Sequence, residues 1–253
     1  MPRNARRKSR SGMYHIMVRG VNKQTIFEDD EDRLRLLELI QKYKAISQFN
    51  LYSYCLMSNH VHLLIKESDE SVSKTMQRIN GSYVSWFNKK YERSGHLFQD
   101  RFRSENVETA PSFLKVLRYI HQNPVKAGLS HSVLDCKWTS INEYVSRANL
   151  VDIDLALNMF GSDKKVAIPL FAEYMQTITD DQFLEDYHKN YLTDSEIISH
   201  LVCLGLSNSS ALQQCQKDRR DAIILELKTL TGVSARQLSR ITGISKSVID
   251  RIR

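Results

Sequence analysis

Apolar and polar positions alternate in blocks that change period along the chain. Met13–Arg19 is rich in β-forming residues and ends at Gly20, which predicts a first strand. Acidic residues from Asp29 onward suit a first helical turn, and Leu34, Leu37 and Ile40 continue one apolar stripe. Leu51–Met57 and His60–Lys66 are two further strand-like runs, and Ser58-Asn59 between them predicts a hairpin. A second helical stretch starts at Val72 and carries Met76, Ile79, Tyr83, Trp86 and Phe87. A basic loop follows. Ser112 is the expected cap of a third helix through Phe113, Leu117 and Ile120, with Pro124 as its stop. This order predicts an α+β fold, an antiparallel sheet with helices on one face.

After about residue 130 the strand signals fade. The expected organisation is a domain over 1–130, an acidic, mostly helical connector over 131–190 and an all-helical region over 191–253. In the last region, Asp221–Gly232 reads as a helix ended by glycine. Ser234 and Ser245 are the expected caps of two short helices separated by Gly243, with Leu238, Ile241, Ile244, Val248 and Ile252 as apolar points. That is the pattern of a helix-turn-helix, whose second helix enters a major groove. Lys246, Ser247, Asp250 and Arg251 would then face DNA. A generic three-helix bundle is the plainer alternative.

Charge sharpens this picture. The 253 residues carry a net +7, unevenly: residues 1–12 are +5, 13–70 are −2, 71–130 are +6, 131–190 are −5 and 191–253 are +3. Three basic blocks point to a polyanionic partner. The basic N-terminal arm is expected to be disordered without that partner. No apolar run is long enough for a membrane span, and the basic start lacks the apolar stretch of a secretory signal. Four scattered cysteines without a CxxC pair argue against a zinc ribbon or disulfide framework and fit a cytoplasmic, nucleoid-associated protein.

Three constellations could carry chemistry. His60-Val61-His62 lies on a predicted strand, so both imidazoles project from one face and could chelate a divalent cation with a third ligand. Two surface histidines would give the same pattern. Tyr119 and Asn123 are four apart on a predicted helix and share a face, placing a candidate nucleophile beside a polar ligand. A helix aromatic packed on the sheet is the ordinary alternative. From Lys89 to Arg103, cations alternate with aromatics; Arg93, His96, Arg101 and Arg103 are candidates to grip phosphate while Tyr or Phe stacks bases.

These residues together resemble a known family. Tyr14-His-Ile-Met-Val-Arg-Gly20, Tyr54-Cys-Leu-Met-Ser-Asn-His-Val-His-Leu-Leu64, Ser94-Gly-His-Leu-Phe-Gln-Asp-Arg-Phe102 and Arg118-Tyr-Ile-His-Gln-Asn-Pro-Val-Lys-Ala-Gly-Leu129 occur in the order found in HUH single-tyrosine transposases, particularly the REP-associated group. The resemblance implies a ferredoxin-like fold and a Mg2+ or Mn2+ ion held by His60, His62 and Asn123. It implies Tyr119 as nucleophile, cutting and rejoining single-stranded DNA at hairpins through a 5′-phosphotyrosine link. Lys126 falls in the same word and is a candidate DNA contact. Lys137-Trp-Thr-Ser-Ile141 is similar to a further family word; the helical tail has no counterpart in the minimal domain, and duplex DNA is its expected partner. Monomer and homodimer both stay open, as does a tyrosine acting in cis or in a partner. A non-catalytic DNA-binding regulator on the same fold is the main alternative, and an RNA-directed role a weaker one.

Overall fold

The structure, a computed structural model, describes residues 7–179, 181, 183, 192, 194–206, 209–230 and 233–252. The chain divides into two compact units, Met1–Glu185 and Asp186–Arg253. The described residues between 131 and 183 thus belong with the first unit.

The first unit is built on β1 (Met13–Arg19), β2 (Asn50–Met57), β3 (His60–Lys66) and β4 (Arg103–Asn106), all antiparallel to their neighbours in the order β2-β3-β1-β4. Helix α1 (Asp30–Ser47) links β1 to β2, and α2 (Val72–Lys90) links β3 to β4. This β-α-β-β-α-β path is the ferredoxin-like arrangement, and its two crossovers put α1 and α2 on one face of the sheet. They meet there, with Tyr43 and Ser82 hydroxyls 2.7 Å apart. Helix α3 (Ala110–Lys126) takes the other face, which adds a second covered face to the one expected. Alternate residues of β1 confirm this: Tyr14, Ile16 and Val18 are buried on one side, His15 and Met17 on the other.

Several local expectations shift. In α1 the buried stripe is Leu36, Leu39 and Ile40, whereas Leu34 is exposed; Asp29 caps the helix in a reciprocal box with Asp32. The basic stretch from Lys89 to Arg103 is not all loop, since Lys89 and Lys90 end α2 and Arg103 starts β4. Thr109, not Ser112, caps α3. Ser112 answers it from the third helical position, and the helix runs past Pro124 to Lys126. Pro124 lacks an N–H, yet the last turn closes, with the Ala127 N–H donating to the Asn123 carbonyl at 3.0 Å. Residues 9–11 of the basic arm are held in place. The Ser9 N–H donates to Tyr14 Oη at 3.0 Å, the Arg10 N–H donates to Glu108 and the Ser11 hydroxyl donates to the Val107 carbonyl. Residues 1–6 of that arm lie outside the described residues.

Past α3, residues 138–152 line the outer edge of β2. The Leu56 N–H donates to the Trp138 carbonyl, the Ser140 N–H to Tyr54, the Leu51 N–H to Asp152 and the Tyr144 hydroxyl to the Tyr52 carbonyl. An otherwise open sheet edge is closed this way. Helices α4 (Ile141–Val145), α5 (Asp154–Leu157) and α6 (Lys164–Gln176) complete the unit, α6 packing on α3.

The second unit contains α7 (Asp194–Cys203), α8 (Lys217–Thr229), α9 (Ala235–Thr242) and α10 (Lys246–Arg251) around Ile197, Leu201, Ile224, Leu227, Leu238 and Ile249. The helix expected over 221–232 starts four residues earlier, and Gly232 lies outside the described residues. Ser234 caps α9 by accepting from the Gln237 N–H. Gly243 adopts φ +70°, a left-handed turn that glycine makes without strain, so α9 stops and α10 leaves in a new direction. Among the described residues no helix is long and apolar enough to cross a membrane.

Candidate active site

The site forms where β3, β1 and α3 meet. Strand alternation sends His60 and His62 to the α3 face and Val61 to the opposite core. Both histidines are buried, His62 fully and His60 at 8% exposure, so they are not the surface pair the motif alone allowed. Their rings lie 5.0 Å apart and nearly perpendicular. Each uses its Nδ1 locally. His60 Nδ1 is 2.6 Å from Asn59 Oδ1, and His62 Nδ1 is 2.9 Å from His15 Nε2. Burial, reinforced by the neighbouring His15, His60 and Arg19, holds His62 neutral, and burial does the same for His15.

Helix α3 brings Tyr119 over these rings, its centroid 5.8 Å from His62 and 5.7 Å from His15. Asn123 follows one turn later. Its Nδ2 donates to the Tyr119 carbonyl at 3.2 Å, and its Oδ1 is buried with no hydrogen-bond partner among the described residues. An orphaned buried amide oxygen on the helix whose Tyr119 ring faces His62 has, with the imidazoles, the donor chemistry of a divalent cation such as Mn2+. Among the described residues no group of three His, Cys, Asp or Glu side chains is placed to hold a metal ion.

His121, two residues on from Tyr119, faces the other side of α3 and lies within hydrogen-bond distance of Ser140 Oγ (2.8 Å) and Ser53 Oγ (3.2 Å); burial lowers its pKa to about 3. Above Tyr119 lie Lys126, whose Nζ is 5.2 Å from the ring centroid, and the Phe183 ring at 5.1 Å. Arg118 makes a 2.7 Å ion pair with Asp181.

The remaining candidates are dispersed. Arg103 pairs with Met17, which pairs with His62, so Arg103 and His62 share a sheet face. Both Lys126 and Arg103 are exposed, Lys126 beside the Tyr119 ring and Arg103 on the histidine face of the sheet. His96 and Arg101 instead line a cavity of about 650 Å³ beside Asn80 and Ser85 of α2. Arg93 stacks over Phe87, its guanidinium 5.5 Å from the ring centroid, and contacts Gln24. In the second unit Lys246, Ser247 and Arg251 are all exposed on α10, where Lys246 pairs with Asp250 at 2.8 Å. His15, Glu105 and Phe183 belong to the site but carried no functional signal in the sequence.

Fold and cluster define a ferredoxin-like domain with a histidine pair and a single tyrosine. The sequence profile of the family described as "Transposase IS200 like" matches residues 8–123. Among solved structures, one of a REP-associated tyrosine transposase bound to a REP hairpin is similar at TM-score 0.50 and 20% identity, covering 61% of this chain and 96% of that one. A transposase structure from Deinococcus radiodurans gives TM-score 0.34 and 14% identity, covering 48% of this chain and 97% of that one. No curated protein matches. The match to that family lies within the first unit.

Proposed function

We propose that the first unit is a metal-dependent transposase or site-specific endonuclease that cuts and rejoins single-stranded DNA at hairpins. The observation that carries this reading is the buried cluster of His60, His62, Tyr119 and Asn123, contributed by β3 and α3. The Tyr119 oxygen attacks phosphorus. An O–P bond forms, the bond to the 3′ oxygen breaks, and the tyrosine proton passes through solvent to the strand's new 3′-OH. One phosphodiester replaces another, so no ATP is required. A 3′-OH from another strand end reverses the step and joins the ends. His60, His62 and Asn123 would hold Mg2+ or Mn2+, which would polarise the phosphate and stabilise the leaving oxygen. Lys126, beside the Tyr119 ring, adds positive charge where the phosphate arrives, and Arg103 extends it along the same sheet face.

In the second unit, the exposed Lys246, Ser247 and Arg251 on the second helix of the helix-turn-helix support contact with duplex DNA. Incubation with a hairpin-tailed single strand and Mn2+ should yield a protein–DNA adduct that survives a denaturing gel. Its loss in the His60→Ala, His62→Ala double variant, with hairpin affinity largely kept, is the expected result. The near-complete burial of Tyr119 favours one second reading, a regulator that binds DNA without cutting it. Absence of any adduct at saturating hairpin and Mn2+ would select that reading.

A further inference from the structure

The face that carries Tyr119 continues toward the start of α3. Ser112, Val116, Tyr119 and Asn123 follow one another at spacings of four, three and four residues, so they share one side of the helix. On β4, Arg103 and Glu105 stand opposite Met17 and His15 of β1, so they share the sheet face of His62. Between these two walls lies a cavity of about 530 Å³. Ser112, Val116, Glu105 and Phe183 line it, and the exposed Arg7 lines it from the basic arm. The arm is tied down two residues later, where the Ser9 N–H donates to Tyr14 Oη.

The cavity adjoins the nucleophile. Its Phe183 wall is the ring that lies 5.1 Å from Tyr119, centroid to centroid. Its Glu105 wall places Oε2 3.9 Å from Nδ1 of His15, whose ring is 5.7 Å from Tyr119. The cavities along α2 share none of these residues.

The walls combine three kinds of surface. Val116 and Phe183 are apolar and aromatic, the surface on which a flat heteroaromatic ring stacks. The Glu105 carboxylate accepts hydrogen bonds and donates none. Arg7 supplies a cation whose planar fork suits a phosphate. Together they fit a nucleotide whose base is unpaired and can be read on its edge.

We infer that this cavity holds the base of a nucleotide beside the cut phosphate, and that Glu105 selects a base with an amino group over thymine. Cytosine, adenine and guanine each bring an amino N–H to the carboxylate. Thymine brings one N–H flanked by two carbonyl oxygens, which face the carboxylate with like partial charge. Arg7 takes the phosphate of the same nucleotide. The inference rests on the DNA-cutting role proposed for Tyr119 and adds which bases are accepted next to the cut.

The test reads binding without cutting. A DNA hairpin with a randomised single-stranded tail is bound to the full chain without metal, and the bound strands are sequenced. Thymine should be depleted about 10-fold at one tail position, the effect of one hydrogen bond to a charged group. Glu105→Gln, whose amide can donate to a thymine carbonyl, should remove that depletion. Iodocytosine at the same position should photocrosslink to a peptide from β4 or from the first half of α3. Three results overturn the inference: no tail position depleted in thymine, a depletion that persists in Glu105→Gln, or a crosslink that maps elsewhere. A Tyr119 adduct formed with Mn2+ alongside any of these leaves the cutting role standing and removes only the base site. The expected depletion and crosslink without an adduct do the reverse.

Discussion

Phe183 lies edge-on to Tyr119, ring centroids 5.1 Å apart at 67°, and the same ring stands 6.1 Å from His15. Tyr119 is left 2% exposed. A nucleophile in that position meets a strand only after the covering ring moves aside. Phe183→Ala should therefore uncover it. Nitration by tetranitromethane, mapped by peptide mass, should rise severalfold at Tyr119 and stay unchanged at Tyr83, which is fully buried in a different part of the core. Unchanged nitration of Tyr119 would mean that Phe183 is not its cover.

Acid should destabilise the first unit through His121. Its folded pKa is depressed to about 3 from an ordinary 6.5. Between those values the unfolded chain binds a proton that the folded chain does not. Stability is thus complete above pH 6.5 and falls as pH drops toward 3, by up to about 1.4 kcal/mol per pH unit for each such group. His62 and His15, also depressed by burial, add slope in the same direction. Urea unfolding across this range should show a shallower pH dependence in His121→Gln than in wild type. Equal slopes would remove His121 from the account.

The same residues show what the sequence made legible. Strands β1 and β3 could be read because their apolar runs stop at Gly20 and at Asn59. Gly20 itself is required by space, since a Cβ there would overlap the Gln24 carbonyl oxygen. Strand β4 could not be read. Arg103-Ser-Glu-Asn106 is polar because it lies at a sheet edge, and only pairing with β1 makes it a strand. Tyr119 and Asn123 were visible as a pair because helical spacing is local. His15 was not, although it sits in a strand that was read correctly. Its meeting with His62 depends on the register of β1 on β3, which local patterning does not encode. Phe183 reaches the site through tertiary packing alone.

Helix α3 carries both Tyr119 and Asn123, so its cap bears on the site. Thr109 accepts from the Ser112 N–H, and Ser112 Oγ accepts from the Thr109 N–H. Thr109→Ala should lower unfolding free energy by about 1 kcal/mol, measured by urea titration. Thr109→Asp, which can still accept the N–H and suits the helix dipole, should restore it. No difference between Thr109→Ala and wild type would deny the box a role.

The two units should separate functionally. Alanine at Lys246, Ser247 and Arg251 together should weaken binding to a long duplex and reduce the salt slope of that binding by up to about two, the number of cations removed. Adduct formation on a hairpin-tailed single strand should be unaffected. Equal loss of both activities would assign α10 to hairpin binding instead.

The central claim is that Tyr119 becomes covalently joined to DNA, and the most direct measurement is the mass of the joined peptide. Wild-type protein incubated with a hairpin-tailed strand and Mn2+, then digested with protease and nuclease, should give one peptide carrying a nucleotide phosphate on Tyr119. Tyr119→Phe should give none. A nucleotide attached to any other residue, or an adduct of undiminished yield from Tyr119→Phe, would contradict the account.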